Sequence, residues 1–244
     1  MGGPLLERAS APFPPASDEV LVVRHSLVVD DLTLARLSLS LDDVERARVA
    51  RYVFPHDRRH AAVSRGSLRA LLAGLLGGEA RELRFELGPQ GKPSLVGGAL
   101  DFNVSHTGTW LYLAVARRTL GVDVEGGSRT LDVDELAPTV FTQRERAELR
   151  GYDDSARTLA FLRGWTRKEA YVKVLGTGLS MPLADFSVSL AADAAVELVT
   201  HALPEAARLH VLCDLPAPPG HAAALAWAVG TAPVRRVVLV DASA

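Results

Sequence analysis

Asp123 and Glu125 are two carboxylates in the run Leu120-Gly121-Val122-Asp123-Val124-Glu125, which is otherwise Leu, Gly and Val. In a strand, residues i and i+2 share a face, so both acids would point the same way. Carboxylates converging from an apolar strand repel one another and lose hydration, a cost that a bound cation removes. With oxygen ligands only, a hard ion such as Mg²⁺ suits the pair better than zinc. Alone, such a pair ahead of the turn Gly126-Gly127 is more often a solvated strand end, so its reading depends on what accompanies it.

The stretch Trp165-Thr166-Arg167-Lys168-Glu169-Ala170-Tyr171-Val172-Lys173 is the first companion. On a helix, Trp165, Glu169 and Lys173 fall at i, i+4 and i+8 and form one stripe. A Glu-Lys pair so spaced is ordinarily a surface pair stabilising the helix by about 0.2–0.5 kcal/mol. Trp165 on the same stripe turns it toward the interior or a cleft. Glu169 then needs a partner, either Lys173 or a cation shared with Asp123 and Glu125.

A third stretch, Asn103-Val104-Ser105-His106-Thr107-Gly108, reads as a turn between strands whose short donors suit phosphate oxygens. Asn, Ser and Gly also favour turns on their own account, and a lone histidine such as His106 is more often structural. Lys92 projects from the rigid turn Gln90-Gly91-Lys92-Pro93, and Arg48, Arg51, Arg58 and Arg59 cluster between Asp42 and His60. Singly, each is a solvated charge. Together with Lys168 and Lys173 they supply the local cations that a polyanionic ligand requires.

The elements that must position these groups are mixed. Strand signals fall at Val20 to Val23, Leu83 to Leu87, Leu111 to Ala116, Gly121 to Val124, Phe186 to Leu190, Leu209 to Cys213 and Ala223 to Val229. Helical patterns run over Asp42 to Tyr52, Asp57 to Leu76, Val133 to Thr139, Gln143 to Gly151 and Ser155 to Leu175. The spacing favours an α+β arrangement over regular βαβ alternation. The chain also repeats itself, with DVERARVARYVF set against DVDELAPTVF and Phe54 against Phe141. Two similar subdomains related by a pseudo-two-fold follow, each a small antiparallel sheet packed with helices. The expected divisions are a flexible leader over residues 1–18, an N-terminal subdomain over 19–117 and a C-terminal subdomain over 118–244. A cleft between the halves is the default ligand site.

Composition narrows the function. The chain has 244 residues and 48% hydrophobic residues, ample for a folded core. A net charge of -2 gives no global basic field, so nucleic-acid binding has no compositional support. Cys213 is the only cysteine, which excludes an internal disulfide and a multi-thiolate metal site and suits a reducing, cytoplasmic setting. No window reaches the roughly 18 apolar residues of a membrane span.

The three stretches, in this order and spacing, resemble the 4′-phosphopantetheinyl transferases of the surfactin-synthetase type, in the subgroup with a W-KEA signature. NVSH, LGVDVE and WTRKEAYVK match that family's three motifs, Phe141-Thr142 with Glu145 matches its F-(S/T)-x-x-E stretch, and Gly91-Lys92-Pro93 its G-K-P turn. Leu120 stands where the family more often has Val or Ile. The resemblance implies the 4′-phosphopantetheinyl transferase fold, with coenzyme A between two subdomains. It places Mg²⁺ on Asp123, Glu125 and Glu169, with Asp123, Glu169 and Lys173 as catalytic residues. Arg48, Lys92, Ser105, His106, Lys168 and Lys173 become coenzyme A contacts. The implied reaction moves phosphopantetheine to a serine of an apo acyl or peptidyl carrier domain. It releases 3′,5′-ADP and serves polyketide or non-ribosomal peptide synthases. Carrier docking is expected around Gly126 to Arg150, with Leu131, Val133 and Leu136 as apolar contacts, although these residues could equally pack their own helix. A monomer is expected, since the repeat supplies a two-fold interface within one chain. Competing readings are a Mg²⁺-dependent nucleotide or coenzyme A hydrolase, which would ordinarily carry a GxxxxGK[ST] loop that is absent here, and a non-catalytic coenzyme A-binding module.

Overall fold

A computed structural model of the chain describes residues 5–9, 13–98, 100–126, 131–178, 181–192, 196, 198–200, 208–230 and 232–242. The first elements are β1 (Leu5–Ala9), β2 (Glu19–Ser26), α1 (Asp31–Leu39), α2 (Asp43–Ala50) and α3 (Pro55–Leu76). Strands β3 (Phe85–Leu87), β4 (Pro93–Leu95), β5 (Asp101–Thr107), β6 (Trp110–Ala116) and β7 (Leu120–Gly126) follow. Helices α4 (Val133–Val140), α5 (Gln143–Leu149) and α6 (Asp154–Leu175) come next. The last strands are β8 (Phe186–Val188), β9 (Leu198–Thr200), β10 (His210–Leu215), β11 (His221–Ala228) and β12 (Arg236–Asp241).

One strand, three helices and four strands, β2 through β6, recur in the same order as β7 through β11. The pairing recurs as well: β2-β6-β5 in one sheet answers β7-β11-β10 in the other, and the hairpins β3–β4 and β8–β9 stand apart from both. The repeat is therefore real, but its register differs from the sequence reading. The helix after Asp42 corresponds to α5, not to the helix after Asp132, because α1 precedes it and answers α4. Leu32, Leu34, Leu37 and Leu39 space the leucines of α1 partly as a strand would, which hides the helix.

Three further expectations change. Leu5–Ala9, placed within a flexible leader, is a strand paired with β12. Strand β12, from the second half, lies parallel between β1 and β2, so the larger sheet is mixed and draws on both halves. The stretch from Asn103 to Gly108, read as a turn, is strand β5 as far as Thr107.

The two sheets share one core. Val20 and Val22 of β2, Tyr112 and Ala114 of β6, Val122 and Val124 of β7, Leu225 and Trp227 of β11 and Leu239 of β12 are buried together. The opposite face of the larger sheet packs on α3 through Leu21, Leu113, Val63 and Leu72, and α6 covers the smaller sheet through Ala170, Val174 and Ala224. The layers run helix, sheet, sheet, helix.

Each half also repeats one lock. Asp42 and Glu45 form a capping box on α2, and Thr142 and Glu145 form one on α5. In both cases the box glutamate takes a cation from the following long helix: Arg65 and Arg69 on Glu45, Lys168 on Glu145. Helices α3 and α6 are both 22 residues long, and left-handed glycines, Gly77 and Gly176, end them.

The halves are joined along the outer edge of β7, an edge strand of its sheet. Its amides at Leu120, Val122 and Val124 donate to Asp101 Oδ2 (3.2 Å), Asn103 Oδ1 (2.9 Å) and Ser105 Oγ (3.3 Å) of β5. Its carbonyls at Leu120 and Val122 accept from Lys92 Nζ (2.9 Å) and Lys173 Nζ (3.1 Å). A buried strand edge left unpaired is costly, and here side chains at alternate positions of β5 satisfy it. Asn103→Leu keeps the size of the side chain and strands the Val122 amide. It is expected to lower unfolding free energy by about 1–3 kcal/mol in urea denaturation.

Candidate active site

Strand β7 sends alternate residues to opposite faces. Val122 and Val124 enter the shared core, while Gly121, Asp123 and Glu125 turn toward α6. Gly121 sets the closeness of that approach, because a Cβ there would lie 2.2 Å from the Ala170 carbonyl oxygen. Asp123 follows two residues on and is only 3% exposed. Its Oδ1 accepts from Lys173 Nζ at 2.6 Å and from Ser105 Oγ at 2.8 Å. Its Oδ2 is buried without a hydrogen-bond partner.

Trp165, Glu169 and Lys173 lie half-buried in line on α6, as their i, i+4, i+8 spacing requires. Burial, then the charge of Asp123, pushes the Glu169 pKa up, against the opposing pull of Lys173. The Trp165 indole lies beside the Glu169 carboxylate and also draws its pKa down. Glu125 is pushed up to about 7 by burial first and by Asp123 second, with Glu169 adding to the repulsion. Thr107 Oγ1 lies 3.3 Å from Glu125 Oε2. The three carboxylates thus feel one another, as a site awaiting a cation would require. Among the described residues no three His, Cys, Asp or Glu side chains close around an ion as they stand. The fit to a hard cation rests on the all-oxygen donor set and on the orphaned Oδ2 of Asp123.

The expected anion contacts divide. His106 lies on the face of β5 opposite Ser105, open to solvent; surrounding protein, then His60 and Lys173, lowers its pKa. His60, on α3, was not singled out by sequence and joins the site only through the fold. Arg48 and Arg51 are exposed near the end of α2, whereas Arg58 bonds the Tyr52 carbonyl and Arg59 pairs with Asp31. Lys92 is committed to the Leu120 carbonyl and to Asp101 at 3.6 Å, and burial lowers its pKa. Ser105 is spent on Asp123 and the Val124 amide rather than held out as a phosphate donor.

Lys168 departs furthest from expectation. Its ammonium is fully buried against Glu145 at 2.7 Å and donates to the carbonyls of Val140, Leu183 and Phe186. All its donors are used inside the fold, so it is a structural residue and not a ligand contact. Burial brings its pKa down to about 8, against the pull of Glu145. Val133, offered for docking, is instead buried in the core of α4, α5 and α6, with Leu131 and Leu136 packed beside it. Residues 127–130 of that stretch lie outside the described residues. Two surface hollows of about 440 Å³ each lie away from the acids, one lined by Val133, Asp154 and Arg157, the other by Asp42, Arg81 and Arg84.

This geometry meets what comparison with known proteins shows. The 4′-phosphopantetheinyl transferase superfamily profile matches residues 119–227, and the 4′-phosphopantetheinyl transferase N-terminal profile matches residues 31–118. The chain belongs to the 4′-phosphopantetheinyl transferase superfamily. Among its relatives, 4′-phosphopantetheinyl transferase HetI of Nostoc sp. is 35% identical over 185 residues, 72% of this chain and 78% of the relative. 4′-Phosphopantetheinyl transferase Sfp of Bacillus subtilis is 28% identical over 155 residues, covering 63% and 68%. An L-aminoadipate-semialdehyde dehydrogenase-phosphopantetheinyl transferase of Xenopus laevis is 32% identical over 159 residues, covering 59% and 53%. No helix among the described residues is long and apolar enough to cross a membrane.

Two outcomes follow. Lys168→Met leaves Glu145 as an unpaired buried charge and is expected to cost about 3–5 kcal/mol of stability in urea denaturation. In metal-free protein, Glu125 holds its proton to higher pH than in the unfolded chain, so the folded state binds more protons between about pH 4.5 and 7. Stability contributed by the protonated form is therefore lost as pH rises through that window. Wild type measured in chelator should lose stability relative to Glu125→Gln across it.

Proposed function

We propose that this chain transfers the 4′-phosphopantetheine group of coenzyme A to a serine hydroxyl of an apo carrier domain. The serine oxygen bonds to the β-phosphorus, the phosphorus–oxygen bond to the adenosine phosphate breaks, and 3′,5′-ADP leaves. The observation that carries this reading is the meeting of Asp123, Glu125, Glu169 and Lys173 between β7 and α6 in a chain of this family.

Asp123, Glu125 and Glu169 would hold Mg²⁺, which supplies charge neutralisation at the pyrophosphate when bound. Lys173 already sits against Asp123 and provides a second positive charge for the developing phosphate leaving group. Glu169, its pKa raised by burial and by Asp123, is the candidate acceptor of the serine proton. His106, kept toward its neutral form by burial and by His60 and Lys173, would offer an uncharged imidazole to the region where the nucleotide phosphates would lie.

The carrier substrate is proposed to come from polyketide or non-ribosomal peptide synthases, on the strength of the motif resemblance. A cytoplasmic monomer fits the lone, partly buried Cys213 and the two sheets already paired within one chain.

The test incubates the protein with apo carrier, coenzyme A and Mg²⁺ and looks by mass spectrometry for a carrier heavier by one phosphopantetheine. Asp123→Ala and Glu169→Ala should abolish the transfer while keeping the wild-type circular dichroism. Release of nucleotide without carrier modification would point to a hydrolase, and wild-type turnover by either variant would sink the assignment.

A further inference from the structure

We propose that Ser105 and Thr107 are positioning residues for the acidic pair: two hydroxyls at i and i+2 on β5, each donating to one carboxylate at i and i+2 on β7. The proposal rests on the reading that Asp123 and Glu125 hold a divalent cation. Ser105 Oγ reaches Asp123 Oδ1 at 2.8 Å, and Thr107 Oγ1 reaches Glu125 Oε2 at 3.3 Å. Both pairs span the same 18 residues of sequence. The match arises because β5 runs alongside β7 and offers side chains with the same period of two. With Ser105 and Lys173 on Oδ1, Asp123 is turned so that Oδ2 is the oxygen left for a ligand.

Neutral hydroxyl donors suit this task better than further cations would. A donor on one carboxylate oxygen fixes the rotation of the group and leaves its charge for the cation, whereas a second lysine would compete with the ion. Lys173 already fills the cationic role at Asp123, whereas the donor the seam offers Glu125 is the Thr107 hydroxyl. Thr107 Oγ1 is also 3.3 Å from the Gly126 carbonyl, so the hydroxyl bridges the carboxylate and the end of the strand that carries it. Ser105 additionally accepts the Val124 amide, and removing it would disturb the seam. Thr107 is therefore the informative position.

Thr107→Val removes the hydroxyl at nearly constant volume, and Thr107→Ser keeps it; Thr107→Ala serves if valine does not fold. Free Mn²⁺ is followed by electron paramagnetic resonance during titration of protein with coenzyme A, against coenzyme A alone. The apparent Mn²⁺ dissociation constant should rise about 10–100-fold in Thr107→Val and stay close to wild type in Thr107→Ser, with thermal midpoints unchanged. Equal Mn²⁺ affinity in Thr107→Val, or equal weakening in Thr107→Ser, overturns the positioning role and leaves the metal reading standing. Wild-type protein that binds no Mn²⁺ beyond coenzyme A alone overturns both.

Discussion

The outer edge of β7 is the constraint on which the molecule depends. A three-stranded sheet leaves that edge without a fourth strand, yet the packing of the two sheets buries it. Side chains do what a neighbouring backbone would otherwise do: Asp101, Asn103 and Ser105 accept its amides, and Lys92 and Lys173 donate to its carbonyls. A polar strand face thus becomes the seam between halves. The same strand carries Asp123 and Glu125, so whatever fixes the seam also fixes the acids.

The repeat explains where the acidic site can arise. Both halves place a long helix over a sheet and lock it through a capping-box glutamate, but only the second half puts an alternating pair of carboxylates on the strand beneath the helix. Strand β2, the counterpart of β7, is filled with Val20, Leu21, Val22 and Val23 and is central in its sheet, with β6 and β12 on either side. It has no free edge to be capped, and its one carboxylate, Glu19 at the start of the strand, pairs with Arg236. The halves have diverged at the point where one strand is central and the other is an edge.

Much of this was legible in the chain itself. The shared face of Asp123 and Glu125 and the stripe from Trp165 to Lys173 follow from period alone, and both stand in the structure. Helices α3 and α6 were legible from their length and from the glycines that end them. The role of NVSHT was not, because Asn, Ser and Thr have the same composition in a turn as in a polar strand face, and only the partner strand distinguishes them. Lys168 misled in a similar way: three positions from Trp165 and beside Glu169, it looks like part of the cationic stripe, but a helix turns by 100° per residue and carries it into the core toward Glu145. Strands β1 and β12 were missed because their pairing is parallel and joins remote segments, which leaves no local turn signal.

Strand β12 also sets an order of events. It lies between β1 and β2, so the larger sheet has a gap until the segment after residue 235 has been made. During synthesis β2, β6 and β5 can pair early, while β1 has no neighbour to receive it. Every strand of the smaller sheet, and α6, precedes β12 along the chain. The half that emerges first is thus the half that finishes last, and the strand that closes it is delivered by the half that carries the acids.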